Sequence, residues 1–124
     1  MRNTSTILSG TLAVLLALSL PALAQSAGPN GGLVAGKDGH ETELIISPAE
    51  ITVFLLHKDK PQATKNAAIR LVVQQAGKNT TVQLKDAGGK LTGKLDAPLS
   101  AGAIVVITGK DDHGHAVSSR YVIK

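Results

Sequence analysis

The chain contains no cysteine and no tryptophan, and only one phenylalanine, one tyrosine and one methionine among 124 residues. Without cysteine there is no disulfide framework, no thiol nucleophile and no thiolate metal site, so apolar packing alone must hold the fold. With two benzenoid aromatics there is little to stack on bases or to line an aromatic pocket. Charge of one sign is also missing. The formal net charge is +4, but lysines sit beside acids at Lys37-Asp38, Lys58-Asp59, Lys85-Asp86 and Lys110-Asp111. There is no basic stripe, and the chain reads as having a mixed, solvated surface and no nucleic-acid partner.

Enzyme signatures are absent too. The sequence holds no phosphate-binding loop, no G-x-S-x-G elbow and no H-E-x-x-H helix. Ser118-Ser119 near His115 lack an acid placed to orient the histidine. Glu41 and Glu43, two apart, read as a wetted sheet face rather than an acid–base pair. The expectation is a non-enzymatic protein.

The first 24 residues have the pattern of a secretory signal peptide: a positive start at Met1-Arg2, an apolar stretch from Ile7 to Leu20, then Pro21 and the small-x-small site Ala22-Leu23-Ala24. The apolar stretch is shorter than the roughly 20 residues a spanning helix needs. Cleavage would leave Gln25 as the new N-terminus of an exported domain with no membrane insertion. Residues 25–39, with Gly28-Pro29-Asn30-Gly31-Gly32 at the centre, read as a flexible Gly-rich leader, with room for one short strand at Leu33–Ala35.

From His40 onward, short apolar runs alternate with turn residues: 40–47, 50–57, 66–75, 80–85, 90–95, 103–109 and 115–123. Ile51, Val53 and Leu55 share one face, and so do Ile69, Leu71 and Val73. Seven such runs predict an all-β, antiparallel, immunoglobulin-like sandwich over residues 40–124.

The four histidines are His40, His57, His113 and His115. A hairpin turning on Pro48-Ala49 pairs Ile46 with Ile51 and Leu44 with Val53, which sets His40 opposite His57 on the same face. If each run crosses the sandwich once, the loop carrying His113 and His115 reaches that same end, with Asp111 and Asp112 nearby, and Asp38 and Glu41 close. His113 and His115 would point together if Gly114 stays extended. Imidazoles without competing thiols suit copper or zinc, so these four are the candidate ligands. The plainer reading is that polar residues collect at loop ends.

The segments Gly28-Pro29-Asn30-Gly31-Gly32, His40-Glu41-Thr42-Glu43-Leu44 and Ile51-Thr52-Val53-Phe54-Leu55 resemble small exported β-sandwich proteins with a G-P-[HN]-G-G start and an H-x-x-E-L strand. Such proteins are similar to the N-terminal sandwich module of periplasmic heavy-metal efflux adaptor proteins. The resemblance implies a periplasmic location, metal handling and an envelope or efflux-system partner, with His40 as the position that carries over best. Many of those proteins have histidine where this chain has Asn30. The rival to metal binding is an envelope protein-interaction or structural module, in which an edge strand accepts a partner's strand.

Overall fold

The computed structural model describes residues 26–37 and 39–124. The expected signal peptide, residue 25 and Asp38 lie outside the described residues. Those described form eleven strands in two antiparallel sheets, with no helix among them. In chain order they are β1 Ser26–Ala27, β2 Leu33–Lys37, β3 His40–Ile46, β4 Glu50–His57, β5 Lys60–Gln62, β6 Ala68–Gln75, β7 Lys78–Gln83, β8 Lys85–Asp86, β9 Leu91–Lys94, β10 Ile104–Lys110 and β11 Ala116–Val122. One sheet runs β1-β2-β3-β4-β9-β8, with β5 also on β4, and the other runs β11-β10-β6-β7. The fold is β-sandwich-like.

Alternation decides which residues face inward. Ile51, Val53 and Leu55 from the first sheet meet Leu71, Val105 and Ile107 from the second, all essentially without exposure. These are mostly β-branched side chains on a half-buried pleat, and each stabilises the fold by about 1.5–3 kcal/mol. One polar cluster crosses this interior. Tyr121 Oη donates to the Thr42 carbonyl at 2.7 Å and lies 2.7 Å from Thr42 Oγ1, while Ser119 Oγ donates to the Ala35 carbonyl at 3.1 Å.

The β3–β4 hairpin has the register expected from its turn. Ser47 and Glu50 exchange backbone hydrogen bonds around Pro48-Ala49, and Ile46 pairs with Ile51, Leu44 with Val53 and His40 with His57.

The segment before His40 differs from expectation. It is no separate leader, because β2 pairs along β3 from Leu33↔Leu44 to Lys37↔His40 and Ala35 is buried in the core. The reason is Glu43, which was expected to be wetted and is in fact fully buried. Its carboxylate accepts hydrogen bonds at 2.8 Å from Asn30 N, Asn30 Nδ2 and Gly32 N. A Cβ on Gly28 would lie 2.5 Å from Glu43 Cδ, and one on Gly32 2.5 Å from the Leu44 carbonyl oxygen. The G-P-N-G-G segment is therefore a clasp that closes around a buried carboxylate.

The run expected at 80–85 is divided. β7 belongs to one sheet and β8 to the other, with buried Leu84 between them donating its N–H to the Ile69 carbonyl. β5, also unexpected, follows a two-residue turn in which Lys58 and Asp59 have φ of 52° and 68°, the left-handed geometry of the tightest hairpins.

Candidate metal centre

Three segments converge at one end of the molecule. The β3–β4 hairpin delivers His40 and His57, whose ring centroids are 5.0 Å apart. Directly opposed residues of an antiparallel pair share a face, so both rings project on the same side of the sheet.

The β10–β11 loop delivers His113 and His115, and Asp111 builds that loop. Asp111 Oδ1 accepts the backbone N–H of His113 at 2.9 Å and of His115 at 2.8 Å. Its own N–H bonds the His115 carbonyl, and Gly114 N bonds the Asp111 carbonyl. An aspartate gathering the N–H groups that follow it is a standard way to start a turn. Gly114 is not extended: its φ is +82°, a left-handed conformation that glycine adopts at little cost. The two histidines nevertheless come together, with ring centroids 6.1 Å apart, because the loop curls around Asp111 rather than running straight. His115 and His40 rings lie 5.1 Å apart.

The third segment is β5. Gln62 pairs with Leu55, and its Nε2 donates to Asp111 Oδ2 at 2.8 Å and to Asp112 Oδ1 at 2.9 Å. His40, His57, Lys60, Pro61, Gln62, His113 and His115 line a cleft of about 310 Å³.

All four predicted histidines are thus in one site. Asp111, expected only nearby, is its centre. Its side chain is fully buried, and Oδ2 lies 3.7 Å from His40 Nδ1 and 3.6 Å from His115 Nδ1. Both distances are too long for hydrogen bonds. His40 Nδ1 is buried and has no hydrogen-bond partner. Burial works to raise the Asp111 pKa, but it is outweighed. The Gln62 bond, the two backbone N–H bonds from His115 and His113, and the charge of His115 hold the carboxyl below its usual range. Asp111 is a carboxylate fixed in position and kept ionised, which is what a cation ligand requires.

The spacings can be compared with what an ion needs. Two ligand atoms each about 2.1 Å from a tetrahedral ion stand about 3.4 Å apart. The distances around Asp111 Oδ2 exceed that by only a few tenths of an ångström. The donor set is imidazole nitrogen with one carboxylate and no sulfur, the preference of divalent copper and zinc. Gln62, which also lines the cleft, fixes the carboxylate through Oδ2 itself, as outer partners of metal ligands do. Gln62 gave no sequence signal, being a single amide in a short, polar connection.

Asn30 does not belong to this centre. It serves Glu43, which lies three residues from His40 on the same strand and hence on the opposite face.

The chain matches no protein-family model and no curated protein. It is similar to a solved structure described as "Crystal structure of Br derivative BhCBM56", at 14% identity and a TM-score of 0.44, covering 72% of this chain and 98% of that one. No helix among the described residues is long and apolar enough to cross a membrane.

Proposed function

We propose that this protein is a non-enzymatic, exported metal-binding β-sandwich that holds divalent copper or zinc in the periplasm as an accessory to heavy-metal efflux. The observation that carries the metal reading is the geometry around one atom: His40 Nδ1 and His115 Nδ1 flank Asp111 Oδ2 at 3.7 and 3.6 Å, and His40 Nδ1 is buried without a partner. A buried, unpaired polar atom is costly, and an ion bonded to all three atoms removes that cost. His57 and His113 complete the ring of imidazoles around the cleft.

Export and the efflux setting rest on the leader pattern and on the motif resemblance of residues 28–60. The strand order supports an immunoglobulin-like type. β3-β4-β9-β8 and β11-β10-β6 run in the order of the two sheets of that fold, with β7 as an added strand beside β6.

The test is calorimetric titration of the exported protein with Cu(II) and Zn(II), beside a variant in which all four histidines are alanine. Sub-micromolar binding that disappears in the variant is the expected result. Weak binding, or equal binding in both proteins, would overturn the metal reading and leave an envelope interaction module in its place. Fractionation of cells expressing the full chain checks the location, with the protein expected in the periplasmic fraction.

A further inference from the structure

We infer that the free edge of β7 pairs with the same edge of a second copy of this chain, about a two-fold axis through Thr81. The edge shares no residue with the histidine cleft, so the inference stands apart from the metal reading.

β7 ends its sheet, and among the described residues no strand pairs with its other side. Natural sheet edges are blunted by charge, proline, a bulge, shortness or a cover. The other edges have such guards. β1, β5 and β8 are two or three residues long. β11 is closed against β2 and β3 by the Ser119 and Tyr121 bonds to the Ala35 and Thr42 carbonyls. Residues 79–83 of β7 carry no charge and no proline. Their register with β6 is unbroken from Gln75↔Lys78 to Arg70↔Gln83, so there is no bulge. Every residue of β7 except Val82 is exposed.

The backbone groups that this edge offers follow from the hairpin before it. Ala76 and Gly77 have φ of 51° and 73°, a two-residue turn closing on the Gln75–Lys78 pair. At the far end, Leu84 N–H donates to the Ile69 carbonyl in the same register. Opposed residues of an antiparallel pair alternate between those that exchange hydrogen bonds and those that do not. Lys78, Thr80, Val82 and Leu84 therefore bond inward to β6. Asn79, Thr81 and Gln83 turn their N–H and C=O groups outward.

Self-pairing then has few solutions. Opposed residues share a face, so an antiparallel strand meets its own copy only about an axis through a residue, never between two. The axis residue must also carry outward groups. Thr81 is the choice that uses all three outward residues: Thr81 meets Thr81, Asn79 meets Gln83, and Thr80 meets Val82. No like charges are opposed, and threonine facing threonine is a favourable cross-strand pair. Charge beside the edge is self-complementary as well. Glu50, Lys85, Lys94 and Asp96 line a cleft of about 440 Å³ next to β7. With both signs equally represented, a second copy meets no net charge there, whereas a partner of one strong sign finds nothing to recognise. One strand pair lies at the small end of specific interfaces, so monomer and dimer exchange.

The test uses the full exported protein without metal. Sedimentation velocity is expected to show a monomer at low concentration and a dimer at high concentration. Thr81→Lys sets two ammonium groups opposite each other and is expected to abolish the dimer, with Tm unchanged because the residue is exposed. Thr81→Pro removes an outward N–H that β6 does not use and is expected to do the same. The chain has no cysteine, so a single introduced one reads the register. Opposed, hydrogen-bonded residues have Cα atoms about 5.5 Å apart, within disulfide reach, so Thr81→Cys is expected to form a covalent dimer with diamide. Asn79→Cys would lie roughly 14 Å from its own copy and is expected to stay monomeric. A monomer at every concentration overturns self-pairing and leaves the edge to a strand of another protein. A dimer that survives Thr81→Lys, or cross-linking of Asn79→Cys as fast as Thr81→Cys, also overturns it, since the contact would then lie elsewhere or in another register.

Discussion

His40 Nδ1 and Asp111 Oδ2 face each other at 3.7 Å at one end of the sandwich, one residue from a strand of the first sheet and the other from the loop that joins two strands of the second. His40 opens β3 and Asp111 directly follows β10. A bound ion would therefore tie the two sheets together at this end. A ligand that binds only the folded state at a hundredfold excess over its Kd stabilises it by about 2.7 kcal/mol. In a domain of this size each kcal/mol raises Tm by about 4–8 °C. Thermal unfolding with saturating Zn(II) is expected to show a rise on the order of 10–20 °C, and His40→Ala is expected to lose most of it. An equal rise in His40→Ala would remove His40 from the ligand set.

Asp111 also links stability to pH. Its carboxyl is held below the usual value of 3.8, so ionisation favours the folded state. That contribution is fully present above the unfolded pKa and is lost as pH falls through the lower folded value. Asp111→Asn keeps an oxygen for the loop N–H groups but removes the charge. It is expected to cost about 1–3 kcal/mol at neutral pH. The gap from the unaltered protein should close below about pH 4, where the unfolded carboxyl begins to protonate. Urea unfolding across pH 2–7 without metal measures this; a gap that does not change with pH would show that the charge plays no part.

The hairpin that places His40 against His57 was legible because a two-residue turn at Pro48-Ala49 fixes every pair beyond it. The gathering of the four histidines was legible because strand direction alternates. Asp111 was harder to read: one aspartate in an Asp-Asp-His-Gly-His loop has no period or partner to single it out. Glu43 was misread because alternation places it on the outer face, and nothing local says that a glycine-rich segment 11 to 15 residues earlier folds over that face. Gln62 and β5 depend on two non-glycine residues, Lys58 and Asp59, entering the left-handed region, which composition does not signal. The division of 80–85 at Leu84 is a tertiary choice between two sheets, invisible to a local pattern.

Tyr121 is the single tyrosine of the chain, and its phenol is pushed well above the usual value of 10, chiefly by burial. A raised phenol pKa contributes stability that is present below pH 10 and is lost as pH rises toward the folded value. The phenolate absorbance near 295 nm is therefore expected to appear together with loss of the β-sheet circular dichroism, in one alkaline transition. Phenolate appearing near pH 10 in a still-folded protein would contradict the burial. Tyr121→Phe removes the bond to the Thr42 carbonyl and is expected to cost about 1–2 kcal/mol.

The Glu43 clasp and the metal centre lie on opposite faces of β3, so they should respond independently. Asn30→Ala removes one donor to a buried carboxylate and is expected to cost about 1.5–3 kcal/mol. Gly32→Ala drives a methyl toward the Leu44 carbonyl and should cost about 1–3 kcal/mol. Hydrogen exchange is expected to speed up in β2 for both variants, while zinc affinity stays within twofold of the unaltered protein. A large loss of zinc affinity in Asn30→Ala would join the two sites.

Among the described residues lining the histidine cleft, Lys60 is the one lysine or arginine. It pairs with His57 across the β4–β5 hairpin, so its ammonium is carried on the same face as that imidazole. A fixed positive charge beside a cation site opposes binding, and solvent screening keeps the effect near 1 kcal/mol or below. Lys60→Ala is expected to tighten Zn(II) binding by about two- to fivefold at low salt, the gain shrinking as ionic strength rises. Lys60→Glu should tighten it further. The same substitutions should leave apo stability almost unchanged, because the residue is exposed. Calorimetry at two salt concentrations reads both effects. Weaker binding in Lys60→Ala would mean that the lysine stem shields the cleft more than its charge repels the ion.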